Sequence, residues 1–76
     1  MAIISIAKRK ILLELQKGPK HGYEIAKKTG LPMGSIYDHL AELVREGFVV
    51  YEKVNRRKVY TLTEKGRTLL KAITDD

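Results

Sequence analysis

Apolar residues recur at helical spacing in four stretches of this chain and crowd together in a fifth. In residues 3–17, IISIAKRKILLELQK, Ile4, Ala7, Ile11 and Leu15 form one stripe, widened by Leu12. Ala2, Ile6 and Leu13 form a second stripe on another side, with Ile3 between the two. A helix packed on one core needs only one such face. The second face therefore predicts a further partner, either the last helix of the same chain or the same helix in another subunit. Lys8, Arg9 and Lys10 lie between the stripes and read as a solvated face. Gly18-Pro19 ends the helix, glycine at the stop and proline just past it.

Lys20-His21-Gly22 is a short connector with one or two extended residues. Residues 22–29, GYEIAKKT, form a second helix in which Ile25 and Ala26 face the core and Tyr23 flanks them. Gly30-Leu31-Pro32 is a turn: Gly30 supplies a positive φ, Leu31 plugs the core, and Pro32 cannot continue the helix before it. A third helix spans 33–46. Ile36, Leu40, Leu43 and Val44 fall at i, i+4, i+7 and i+8, Gly34 or Ser35 is the expected cap, and Gly47 is the stop.

After Gly47 the period changes. Residues 48–54 (FVVYEKV) and 58–62 (KVYTL) are rich in residues that suit a pleated surface. They predict a β-hairpin around a basic tip, Asn55-Arg56-Arg57, of three residues or slightly more. A two-stranded hairpin is marginal alone, so it must rest on the helices. Thr63 then caps a last helix, with Glu64 in its first turn, Gly66 weakening its start, and Leu69, Leu70 and Ile73 as its apolar stripe. Asp75-Asp76 sit at the wrong end of the helix dipole and predict fraying. The expected fold is mainly α with a β-hairpin wing (α+β), a winged helix-turn-helix, with residues 1–76 as a single domain.

Length and composition narrow this picture. A chain of 76 residues buries only about two-thirds of its unfolded surface. It has no cysteine, so no disulfide or thiolate–metal site supports it, and helix packing or oligomerisation must. No run is long enough to span a membrane, and MAIISIA has no basic residue ahead of its apolar stretch. A cytoplasmic location is expected. The net charge of +6 favours a polyanionic partner, since Lys and Arg contacts to phosphates release condensed counterions.

The charges are unevenly placed. Lys53, Arg56, Arg57 and Lys58 cluster at the hairpin tip, and Lys20, Lys27 and Lys28 flank the helix-turn-helix. An edge strand kept soluble by charge is the plain reading of the tip. Four cations beside a helix-turn-helix point instead to phosphate or minor-groove contact. The third helix is acidic by comparison: Asp38, Glu42 and Glu46 outnumber Arg45, the only basic residue besides His39. It cannot bind by charge alone. Its first turn can aim amides at a phosphate, while Ser35, Tyr37, Asp38 and His39 touch phosphates or base edges. Asp38 and Glu42 are otherwise merely solvated. Tyr37 is either a half-buried core tyrosine or a phosphate donor, and Tyr23 shares that choice with packing the stronger claim.

His21 and His39 are not spaced as metal ligands, and His21 is expected to hold the connector or help a phosphate contact. No nucleophile elbow, phosphate-cradling loop or paired carboxylates appear. No cofactor, metal or enzyme activity is expected.

The stretches His21-Gly22-Tyr23-Glu24-Ile25, Gly34-Ser35-Ile36-Tyr37, Glu46-Gly47 and Tyr60-x-Leu62-Thr63-x-x-Gly66, in this order, resemble the PadR family of transcriptional regulators over residues 9–70. That resemblance implies a dimeric, DNA-binding, repressor-like regulator whose wing and second and third helices meet DNA. In that family a C-terminal helical extension carries much of the dimer interface; here ten residues follow Gly66. The expected function is therefore a sequence-specific regulator of double-stranded DNA. It would act as a homodimer through the first and last helices, with helix 33–46 in the major groove and wing 53–58 on phosphates or the minor groove. The alternatives are a winged-helix protein-interaction module and a non-specific architectural DNA binder.

Overall fold

Four helices and three short strands follow one another as α1 (Ile6–Gln16), β1 (Lys20–His21), α2 (Gly22–Thr29), α3 (Met33–Arg45), β2 (Val49–Val54), β3 (Arg57–Leu62) and α4 (Glu64–Thr74). The computed structural model describes residues 5–74, and side chains to residue 73. The architecture is the expected one, helices with a β-hairpin wing. Among the described residues no helix is long and apolar enough to cross a membrane.

α1 begins later than its apolar pattern suggests. Ser5 is extended and its hydroxyl accepts from the Lys8 amide at 3.2 Å, so the helix starts at Ile6 rather than at residue 3. The expectations for Ala2, Ile3 and Ile4, and for Asp75 and Asp76, lie outside the described residues. The first stripe enters the core through Ile11, Leu12 and Leu15. The second divides: Leu13 packs against the core, whereas Ile6 is 74% exposed. Lys8 does not belong to a solvated face. Its ammonium lies 2.6 Å from a Glu42 carboxylate oxygen and joins α1 to α3.

α3 supplies the centre of the core. Ile36, Leu40 and Leu43 are fully buried, each worth about 1.5–3 kcal/mol of transfer free energy. Neither Gly34 nor Ser35 caps this helix. Pro32 is the N-cap (φ −62°, ψ 144°), its carbonyl accepts from the Ile36 amide, and no side chain caps the turn. Proline's fixed φ sets that entry in place of a side-chain bond. At the other end Glu46 is the C-cap, one residue earlier than expected. Gly47 turns left-handed at φ 85°, and the amides of Gly47 and Phe48 return to the carbonyls of Val44 and Leu43, both at 3.0 Å. Those paired bonds form a Schellman stop.

β2 and β3 pair antiparallel from Val49↔Leu62 to Val54↔Arg57. The loop is therefore Asn55-Arg56 alone, not the three residues expected, and Phe48 lies ahead of the strand. Both loop residues are left-handed (φ 50° and 69°), as a type I′ turn requires. The left-handed conformation costs a residue with a Cβ roughly 1–2 kcal/mol, so Arg56 sits where glycine is preferred. The hairpin is not isolated. β1 pairs with β3 through Lys20↔Tyr60 and His21↔Val59, giving a sheet of order β1-β3-β2. Only the inner end of the wing reaches the core, through Val49, Tyr60 and Leu62; residues 50–58 are exposed.

The base of the wing is tied to the helices on both sides. The Thr63 hydroxyl accepts from the Gly66 amide at 3.0 Å, the expected cap of α4, and donates to the Gly47 carbonyl at 2.7 Å. The Thr63 amide donates to the Phe48 carbonyl at 3.1 Å, and the Lys65 ammonium to the Glu46 carbonyl at 2.8 Å. Gly66 is buried here, and a Cβ on it would overlap the Phe48 carbonyl oxygen. Its effect is thus more than a weakened first turn: it lets α4 approach the wing.

Candidate nucleic-acid interface

The start of α2 is built by one residue. His21 is its N-cap: Nδ1 accepts from the Glu24 amide at 3.4 Å, and a Glu24 carboxylate oxygen accepts from the His21 amide at 3.3 Å. This reciprocal pair is a capping box with histidine in the place of serine or threonine. Nε2 is then free to face outward. It lies 3.4 Å from the Arg57 guanidinium and 3.5 Å from a Glu24 oxygen. Since the backbone of His21 also pairs with Val59, this residue joins the helix-turn-helix to the wing both through its main chain and through its ring.

Around His21 gather the aromatic and cationic candidates. Tyr23 is 60% exposed and its ring stacks beside His21 at 6.4 Å, so packing in the core does not occupy it. Tyr37 comes from the first half of α3, is 46% exposed, and lies against Gly22. Arg56, Arg57 and Lys58 reach in from the wing tip. Together His21, Gly22, Tyr23, Tyr37, Arg56, Arg57 and Lys58 line an open cleft of about 420 Å³ that has no carboxylate in its wall. A second concavity beside it continues from His21, Tyr23 and Arg57 to Glu24, Lys27 and Lys28.

The wing holds its cations close together. Lys53 stands directly across from Lys58, a like-charge cross-strand pair that destabilises a sheet unless something anionic joins it. Lys58 also rests its ammonium over the Tyr51 ring, 4.6 Å from the centroid. Tyr51 in turn contacts Tyr60, with centroids 5.7 Å apart. Burial, with smaller contributions from Tyr37 and Tyr51, pushes the Tyr60 phenol above its ordinary value of 10.0.

Not every candidate joins this face. Lys20 is turned toward α1, where its ammonium donates to the Glu14 carbonyl at 2.8 Å and weakly to that of Gly18 at 3.5 Å. Ser35 is half-buried in the first turn of α3, Asp38 is exposed and His39 half-buried, and none of the three lines the cleft. Glu42 is not free in solvent as expected. The hydrogen bond and the charge of Lys8 hold its carboxyl below its ordinary value of 4.5. That pairing removes one negative charge from the account of α3. The sequence assigns Gly22 no role of its own and leaves His21 either holding the connector or helping a phosphate contact. The Arg57–His21 contact spans 36 residues, beyond any local signal. Among the described residues no three His, Asp or Glu side chains gather as metal ligands.

The model of the transcriptional regulator PadR-like family matches residues 11–72 of this chain. Among solved structures, the adhesin competence repressor AdcR of Streptococcus pyogenes superposes with a TM-score of 0.87 at 17% identity, over 95% of this chain and 56% of that one. MarR of E. coli in its apo form gives 0.87 at 22% identity, over 92% and 55%. The transcriptional repressor CouR, solved bound to a 23-mer DNA duplex, gives 0.86 at 27% identity, over 93% and 53%. The chain thus spans about half the length of these proteins, and the first two share its fold. No curated protein sequence matches it.

Proposed function

The chain belongs to the transcriptional regulator PadR-like family, and from that premise we propose that it is a sequence-specific regulator of double-stranded DNA. The observation that carries the reading is the cleft between α2, α3 and the wing, walled by two tyrosines, a histidine and three cations with no carboxylate. Phosphates satisfy such a wall. Arg56, Arg57, Lys58 and Lys53 supply the electrostatic attraction, aided by Lys27 and Lys28; Tyr23 and Tyr37 donate hydroxyls. The first turn of α3, uncapped by any side chain, offers its amides to a phosphate at the groove edge. Ser35, Asp38 and His39 are left to touch bases. Lys20 acts from a distance, through the end of α1.

Residues 1–76 serve as one DNA-binding unit. Two copies place their α3 helices in successive major grooves about 34 Å apart. Ile6, exposed on α1, and the adjoining α4 form the contact between copies. The protein works in the cytoplasm on DNA and has no catalytic role.

Selection of bound sequences from random duplex DNA, followed by titration at low and moderate salt, tests the reading. A preferred palindrome bound with strong salt dependence is the expected result. Salt-dependent binding with no preferred sequence indicates an architectural binder, and absence of salt-dependent binding indicates a protein-interaction module. Sedimentation at micromolar concentration tests the dimer: a clean monomer that still binds the palindrome tightly overturns it.

A further inference from the structure

We propose, resting on the DNA-binding reading, that Gly22 is a positioning residue: its missing side chain lets the Tyr37 ring lie across the first turn of α2 and holds the phenol hydroxyl in the cationic cleft. A Cβ built on Gly22 would stand 2.7 Å from Tyr37 Oη and 2.8 Å from both Cε1 and Cζ. Non-bonded carbon atoms settle near 3.5–4.0 Å, so these atoms cannot coexist with any larger residue. The backbone at this position does not call for glycine. Gly22 is not among the residues with positive φ, and it is the first residue of α2, where an ordinary helical backbone admits a side chain.

The contact has a direction as well as a distance. Gly22 directly follows His21, the cap that meets Arg57, so the Tyr37 hydroxyl is seated where α2 meets the wing. Both residues line the same cleft as Arg56, Arg57 and Lys58. With a methyl group at position 22, the ring must leave this seat, and its hydroxyl leaves the cations with it. The seat thus decides whether an α3 side chain shares a phosphate with the wing.

The test uses the full chain and a duplex recovered by selection with the wild-type protein. Binding is followed by fluorescence anisotropy and folding by thermal melting. Gly22→Ala is expected to lose at least tenfold in affinity, and Tyr37→Phe to lose several-fold, because it removes the hydroxyl and keeps the ring. In the Tyr37→Ala background, Gly22→Ala is expected to have no further effect on affinity. Gly22→Ala binding within twofold of wild type overturns the proposal. So does a double variant that binds more weakly than Tyr37→Ala alone. Should Gly22→Ala fail to fold, the double variant still decides, since it has no overlap to relieve. Failure of the wild-type chain to bind any duplex would instead overturn the DNA-binding reading itself.

Discussion

The third helix, α3, and the wing line one cleft, yet they are built on opposite terms. α3 is locked by three fully buried side chains, ends in a backbone-bonded stop, and has one of its carboxylates paired to α1. The outer wing, residues 50–58, has no buried residue at all. It places Lys53 opposite Lys58 and forces Arg56 into a left-handed turn position. Each of those choices works against folding. The tip of the wing therefore carries unfavourable choices that the rest of the domain tolerates. Stability is concentrated on one side of the cleft and positive charge on the other.

The contrast is sharp enough to break. Leu40→Ala in α3 is expected to destabilise the domain by about 3 kcal/mol in urea melts, as for other fully buried leucines. Arg57→Ala, on the exposed wing, is expected to change it by less than about 0.5 kcal/mol. Equal losses would erase the distinction. The reverse asymmetry applies to DNA. Replacing Arg56 and Arg57 together by alanine should weaken binding to all sequences alike and flatten the salt slope by about 2, near 0.9 per phosphate contact. An unchanged slope would remove the wing as the electrostatic anchor.

Arg56→Gly sharpens the comparison at a single position. It is expected to stabilise the fold by about 1 kcal/mol, through relief at φ 69°, while weakening DNA binding. A variant that gains stability and keeps full affinity would show that Arg56 is a turn residue only. The smallest effect concerns Glu42. Lys8 lowers its carboxyl below 4.5, so the pair stabilises the fold fully above that value, and the contribution fades as pH falls through the lowered one. Glu42→Gln should make stability less dependent on pH across that acidic range, measured by urea melts at stepped pH. A variant with the wild-type profile would mean that the pair adds nothing.

Local chemistry explains which features were legible beforehand. The ends of α2 and α3 are legible because Gly30 and Gly47 are stops whose left-handed φ only glycine adopts freely, and hydrophobic spacing locates α3. The start of α1 was misjudged because apolar periodicity ran on past Ser5, a cap that outweighs it. The hairpin loop read one residue too long because Asn55-Arg56 lacks the glycine that marks a type I′ turn. Site residues were legible where charges cluster in sequence, as at 53–58. They were hidden where the partner is distant: Lys8 with Glu42, His21 with Arg57, Gly22 beneath Tyr37. Lys20 looks in the sequence like one more flanking cation, and only the fold shows its ammonium spent on the Glu14 carbonyl of α1 and, weakly, on that of Gly18.

Thr63 has a consequence for how this chain reaches its fold. Its hydroxyl meets the Gly47 carbonyl in the register that sets Val49 opposite Leu62. A slip of one residue in the hairpin would turn Leu62 out of the core, and it would also carry the Thr63 hydroxyl away from the Gly47 carbonyl. Misalignment is thus felt twice, once in the core and once at the base of the wing. The native alignment is favoured by a core side chain and by a bond between the two ends of the wing, and a misaligned hairpin forfeits both at once.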